Sequence, residues 1–219
     1  MVAPVTSAAP IRLVKSAVPQ EVCAGVTSCG PLLQHELLKA IRHQAPQIYL
    51  RASKEFRLTL EKTQATANRG EVVSAARAIQ FARLIAHESN GSEMFSEAGA
   101  NTFLSLYQEL PYSLKLVNLN LPHPLRLRLA LAIAQRLAHS FAGGRGRVLI
   151  HRHHGRLYLA VIDGLFADRM DTLIGAHEFY RSFLETMLRK LARVNCQVQM
   201  VRRARVRLHE CCFEIAWEA

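Results

Sequence analysis

Aromatic side chains are scarce in this 219-residue chain: Phe, Tyr and Trp make up 7% of it, with a single Trp. Half of the residues are apolar, so a sizeable core must come mostly from Leu, Ala, Ile and Val. Such a composition favours helices over an all-β sandwich. Acidic charge is also short, with 17 Asp+Glu against 28 Lys+Arg and a formal net charge of +11. The imbalance is uneven. Residues 1–122 carry 12 basic and 9 acidic groups, a net of +3, whereas residues 123–219 carry 16 and 8, a net of +8. Lys190 is the only lysine in that second part, and arginine grips carboxylates and phosphates through a planar fork. A basic face of this kind suits nucleic acid, an anionic membrane, an acidic partner or a carboxylate ligand, and charge alone does not choose among them.

Long apolar runs are missing as well, since Arg, Gln or His interrupts each one, so no membrane-spanning segment is expected. The N-terminal residues have three prolines and no apolar stretch of the secretory type. The five cysteines, Cys23, Cys29, Cys196, Cys211 and Cys212, are odd in number, and the adjacent pair points to opposite faces of a strand. No disulfide framework follows, which fits a cytoplasmic location. Nucleotide motifs are absent too. Gly143-Gly-Arg-Gly146 follows a helical pattern and precedes a strand, the wrong order for a dinucleotide site. With no phosphate-binding loop and no C-x-x-C, the chain shows no source of electrons for a stand-alone oxidoreductase. It also lacks a helix-turn-helix, a zinc finger and an RNA-binding strand motif, so no nucleic-acid partner is expected.

What is present divides the chain in two. Residues 1–30 read as a flexible arm, mixing Pro, Ala, Ser and Val without periodicity. Residues 31–219 read as a single α+β domain. Its first part, 31–144, is helical: a run from Pro31 to Pro46, then 48–64, 71–88 and 97–108, and a long Leu/Ala/Ile helix from Pro122-His-Pro124 to about Phe141. The second part, 145–219, changes period. Arg147–His153 and Arg156–Ile162 form a hairpin turning at His154-Gly155. A strongly amphipathic helix runs from Ile174 to about Arg193, and Val194–Arg203 and Val206–Trp217 form a second strand pair. The expected ending is hairpin, helix, hairpin, with a four-stranded antiparallel sheet.

Three groups of residues could carry chemistry. On the amphipathic helix, His177-Glu-Phe-Tyr-Arg-Ser-Phe-Leu-Glu185 sets Tyr180 and Phe183 on the apolar stripe, while Cys211-Cys-Phe-Glu-Ile215 lies on the last strand. Apolar stripes at helical spacing are usually core. His151-Arg-His-His154 places His151 and His153 on one face of a strand, where they could share a metal, although polar hairpin tips are usually solvated. Arg202-Arg203-Ala-Arg205-Val-Arg207 is a basic turn that could face water, an acidic partner or an anionic ligand.

The aromatic pair followed by Phe-Leu-Glu, with two closing strands ending in Cys-x-Phe, resembles the vinyl-4-reductase domain family. The likeness is best over 145–219, and Leu119-Asn-Leu-Pro122 with Phe141-Ala-Gly-Gly144 extends it. That family shares its fold with subunits of the Golgi transport complex and with ligand domains of NO signalling. The resemblance implies a small-molecule pocket between helices and sheet, a role in bacteriochlorophyll biosynthesis and photosynthesis, and a tetrapyrrole ligand of the Mg-porphyrin or chlorophyllide type. It implies a carrier serving pathway enzymes such as the Mg-chelatase porphyrin-binding subunit, with a place at the edge of the photosynthetic membrane. The ligand-binding set expected on this basis is His177, Tyr180, Phe183, Arg203, Arg205 and Cys211. The alternatives are a divinyl-tetrapyrrole reductase, with His177 or Tyr180 as proton donor, and a sensor or protein-partner module. An axial imidazole for a tetrapyrrole metal could come from His139, His151 or His177. Zinc-binding relatives use Cys and Glu at positions matched here by His177, Met200, Arg203 and Cys211, so no metal site of that type is expected.

Overall fold

The structure, a computed structural model, describes residues 28–71, 73–113, 115, 120–141, 147–153, 156–162, 165–166, 173–201 and 210–217. Helix α1 (Pro31–Gln44) starts on Pro31, whose missing N–H and fixed φ suit a first turn. It buries Leu33, Leu37, Leu38, Ala40 and Ile41. Pro46 ends that run and opens α2 (Pro46–Phe56). The single helix expected over 48–64 is two helices. Arg57 takes a left-handed φ of 51°, and the chain restarts as α3 (Leu60–Asn68) behind Thr59, whose hydroxyl accepts the Lys62 N–H at 3.3 Å. A short pair of strands, β1 (Ser28–Cys29) and β2 (Val73–Ser74), runs antiparallel beside α4 (Ala75–Ala86).

Helix α5 (Gly91–Glu109) begins at Gly91 and not at 97. Glu88-Ser-Asn-Gly91 both stops α4 and starts α5, and a Cβ on Gly91 would stand 2.3 Å from the Ile85 carbonyl oxygen. Helix α6 (His123–Phe141) then leads into the sheet half: β3 (Arg147–His153), β4 (Arg156–Ile162), α7 (His177–Met187), β5 (Cys196–Met200) and β6 (Glu210–Trp217). A π-helical turn, Leu188–Ala192, extends α7 and closes at Arg193 with φ 55°. The sheet order is β3-β4-β6-β5, antiparallel throughout, so the fold is α+β with the expected hairpin–helix–hairpin ending. The His154-Gly155 turn and residues 202–209 lie outside the described residues, as does the arm before residue 28.

Register sets the two faces of the sheet. Ile150, Leu159, Phe213 and Met200 stand opposite one another across the four strands, as do Val161 with Cys211 and Leu157 with Ile215. This face meets α7, where the Tyr180 ring lies 6.5 Å from Phe213. His151, Tyr158 and Glu214 occupy the other face, turned away from α7.

The helical layer closes on the sheet half through α5 and α7. Gly99 lets the two helices touch, since a Cβ there would stand 2.1 Å from the Phe179 carbonyl oxygen. Edge-to-face rings continue the seam, with Phe103 on Phe183 at 5.5 Å, Phe95 on Phe166 at 5.8 Å and Phe166 on Phe179 at 5.7 Å. Each such pair contributes about 0.5–1.5 kcal/mol beyond its buried area. Five phenylalanines, Phe95, Phe103, Phe166, Phe179 and Phe183, therefore meet at this junction. Among the described residues no helix is long and apolar enough to cross a membrane.

Candidate functional site

Helices α5 and α7 run side by side in the same direction, because Ser92 faces Gly175, Gly99 faces Phe179 and Phe103 packs on Phe183. Alongside the sealed seam the two helices leave an open groove of about 400 Å³. Glu93, Ser96 and Glu97 line it from α5, and Glu178, Arg181 and Ser182 line it from α7. Three carboxylates thus face one guanidinium in an otherwise basic chain.

The groove walls are braced from outside. His43 Nδ1 lies 3.1 Å from Glu97 Oε1, and the Gln44 side-chain amide donates to Glu97 Oε2, so α1 holds one wall. Arg181 donates to Glu178 Oε2 at 2.6 Å and to Glu185 Oε1 at 3.1 Å. Burial pulls the Arg181 guanidinium down, but its bonds and charges from Glu178 and Glu185 outweigh this and raise it above its ordinary value. Glu185 in turn accepts the Val198 N–H at 3.1 Å, tying α7 to β5.

Of the residues singled out from the sequence, His177 stands at the start of α7, with Nε2 3.2 Å from Glu178 Oε1. Tyr180 is buried, and its hydroxyl accepts the Phe166 N–H at 3.1 Å. Phe183 fills the α5–α7 seam. Cys211 is buried on the α7-facing side of the sheet, and Cys212 is buried on the other. Arg203 and Arg205 lie outside the described residues. Tyr180 and Cys211 thus lie in the layer between α7 and the sheet, Phe183 packs in the neighbouring α5–α7 seam, and His177 stands at the start of α7. Burial, with Glu185 adding to it, pushes the Cys196 thiol up to about 11, so it is a protonated thiol at neutral pH. Among the described residues no group of three His, Cys, Asp or Glu is placed to hold a metal ion.

The three imidazoles considered as axial donors are equally separated. His177 is engaged by Glu178. His151 has a buried Nε2 with no hydrogen-bond partner among the described residues, but it projects from the sheet face turned away from α7. The side chain of His139, near the end of α6, lies outside the described residues.

Compared as a whole fold, the chain is similar to solved H-NOX structures. It matches a Cs H-NOX mutant carrying 4-cyano-L-phenylalanine with a TM-score of 0.59 and 9% identity, over 87% of this chain and 97% of that one. It matches a point mutant of the T. tengcongensis H-NOX with a TM-score of 0.56 and 8% identity, over the same 87% and 97%. An Fe(II) unliganded H-NOX protein from K. algicida follows, with a TM-score of 0.53, 10% identity and again 87% and 97% coverage. The fold is that of the H-NOX domains. No protein-family model matches the chain. No curated protein matches it either.

The H-NOX fold corrects the family expected from the sequence. Nothing found supports membership of the vinyl-4-reductase family, nor the bacteriochlorophyll-biosynthesis and photosynthesis role that came with it. The physical reason lies in the residues that carried the resemblance. Phe179, Tyr180, Phe183, Cys211 and Phe213 are all buried, in the α5–α7 seam or between α7 and the sheet. They record how this fold packs, and packing is shared across families that differ in function. The reductase alternative, the pathway-enzyme partners and the photosynthetic membrane rested on that family and lose their support with it.

Proposed function

We propose that the chain is a sensor-type module: it binds a tetrapyrrole and passes the bound state to a protein partner, rather than converting the ligand. The observation that carries this reading is the extent of the likeness. It spans 87% of this chain and 97% of several matched chains, so a whole fold is shared and not one motif. H-NOX denotes haem–nitric oxide/oxygen binding, so the tetrapyrrole that this reading favours is haem and not a Mg-porphyrin. Among the described residues the junction between helices and sheet is closely packed, so the reading places the macrocycle at no described pocket.

Iron ligation is a separate matter, and the described residues do not fit it. A haem iron held by the protein needs an axial donor facing the apolar layer. His177 is tied to Glu178 and His151 faces away from α7. His35 is buried on α1 with Nδ1 2.9 Å from Thr63 Oγ1, outside the α5–α7 seam. The seam itself is closed by Gly99 against Phe179. His139 is the remaining candidate of the three. The reading therefore rests on the shared fold, with no step assigned to iron.

The test is an absorbance titration of the purified chain with haemin. Saturable one-to-one uptake supports the reading, and a titration that only reports free haemin overturns it. Repeating it with His139→Ala and His177→Ala shows whether either imidazole contributes.

A further inference from the structure

The α5–α7 groove has no part in the reading above, and its chemistry is at odds with its surroundings. Three carboxylates line it in a chain of net charge +11. Its one resident cation, Arg181, is already bonded to both Glu178 and Glu185. Glu93 has no ion-pair partner among the described residues. A second observation is independent of the acidic groups. Ser182 is 8% exposed and lines the groove, yet its hydroxyl makes no hydrogen bond among the described residues. A mid-helix hydroxyl can bond back to the carbonyl four residues earlier, as Thr102 does to Ala98 here at 2.7 Å. Ser182 keeps its hydroxyl available at the groove wall.

The arrangement of acceptors decides what kind of cation fits. The carboxylates do not converge on a point, and among the described residues none of them belongs to a group able to hold a metal ion. They are strung along the groove instead. Glu93 and Glu97 are one helical turn apart on the same face of α5, a spacing of about 6 Å. Glu178 and Ser182 repeat that spacing on α7 across from them. A linear molecule with two ammonium groups separated by a short alkyl chain matches this pattern, with carboxylates and hydroxyls for the ammonium groups and Ala100 as the apolar member of the lining. The volume of about 400 Å³ is within the range of small-molecule sites.

We propose that the groove between α5 and α7 is a binding site for a short aliphatic diamine or polyamine, with Glu93, Glu97 and Glu178 receiving its ammonium groups and Ser182 accepting a hydrogen bond. The site does not depend on the tetrapyrrole reading. Its position, braced by His43 of α1 and tied through Glu185 to β5, means that an occupant touches both halves of the fold.

The experiment is calorimetric titration of the full chain with putrescine, alongside n-butylamine and Mg²⁺, at low ionic strength. Saturable binding of one putrescine per chain is expected. It should weaken about tenfold in Glu93→Gln, which removes one charge-assisted contact, and severalfold in Ser182→Ala. Butylamine, with one ammonium, should bind more weakly, and Mg²⁺ should not displace putrescine. Thermal melts by circular dichroism keep the variants comparable, and Ser96→Ala serves as a second hydroxyl variant if Ser182→Ala does not fold. Absence of saturable heat, equal affinity in Glu93→Gln, or displacement by Mg²⁺ at matched charge each overturns the proposal.

Discussion

At Tyr180 the hydroxyl accepts the Phe166 N–H at 3.1 Å, inside a buried cluster that also holds Phe179 and Phe213. The sequence offers this residue as a proton donor, and its surroundings in the fold give it a structural task instead. Tyr180→Phe leaves a buried N–H without that acceptor, so a loss of about 1–3 kcal/mol is expected. Urea unfolding measures it, and an unchanged midpoint would show that the bond carries no net stability. His35 offers a second residue-scale test. Burial holds its imidazole below the ordinary 6.5, while neighbouring Glu36 pulls the other way and Lys39 adds to the lowering. The folded chain thus prefers the neutral ring, and the unfolded chain binds the proton more readily between the lowered value and 6.5. His35 therefore costs no stability above that window, and stability falls as pH drops through it. Urea midpoints at about pH 7.5 and about pH 5 should differ, and His35→Gln should reduce the difference. An identical pH slope in the variant would assign the effect elsewhere.

Among the elements, the second hairpin–helix–hairpin half was legible because its periods are clean: two alternating runs, a helix with apolar steps of three and four, and two more runs. The helical half was legible in type but less so in its boundaries. The break at Arg57 has no Gly or Pro to announce it. Its signal is Thr59, a helix-capping residue in the middle of an apparently continuous pattern. The early start of α5 was hidden because Asn90-Gly91 reads as a stop, and only the tertiary contact of Gly91 with Ile85 shows that a new helix begins there. Gly99 was equally silent, since a glycine inside a helical pattern gives no hint of the helix it will touch. Gly99→Ala forces a Cβ against the Phe179 carbonyl and should cost roughly 1–3 kcal/mol by overpacking the α5–α7 seam. Denaturant unfolding checks this, and a stability equal to that of the parent chain would mean that the seam yields without penalty.

On the scale of the whole molecule, the sequence carried the architecture further than the function. Alternation, helical stripes and turn residues specify an α+β fold because each is a local consequence of burial. The family could not be read the same way. Phe183, Cys211 and their neighbours fit the packing of this fold in any of its uses, so they pointed to a relative that the comparisons do not support. The acidic groove was also invisible from sequence. Glu93 and Glu97 are far from Glu178 along the chain, and the basic composition drew attention to arginines instead. The central claim is that the chain binds a tetrapyrrole through its apolar macrocycle and not through an iron–imidazole bond. Side-by-side dissociation constants for haemin and metal-free protoporphyrin test this most directly. Saturable binding of both, within about threefold of one another, is the predicted result, since less than about 1 kcal/mol then separates them. Binding of haemin alone, lost in His139→Ala, would contradict it.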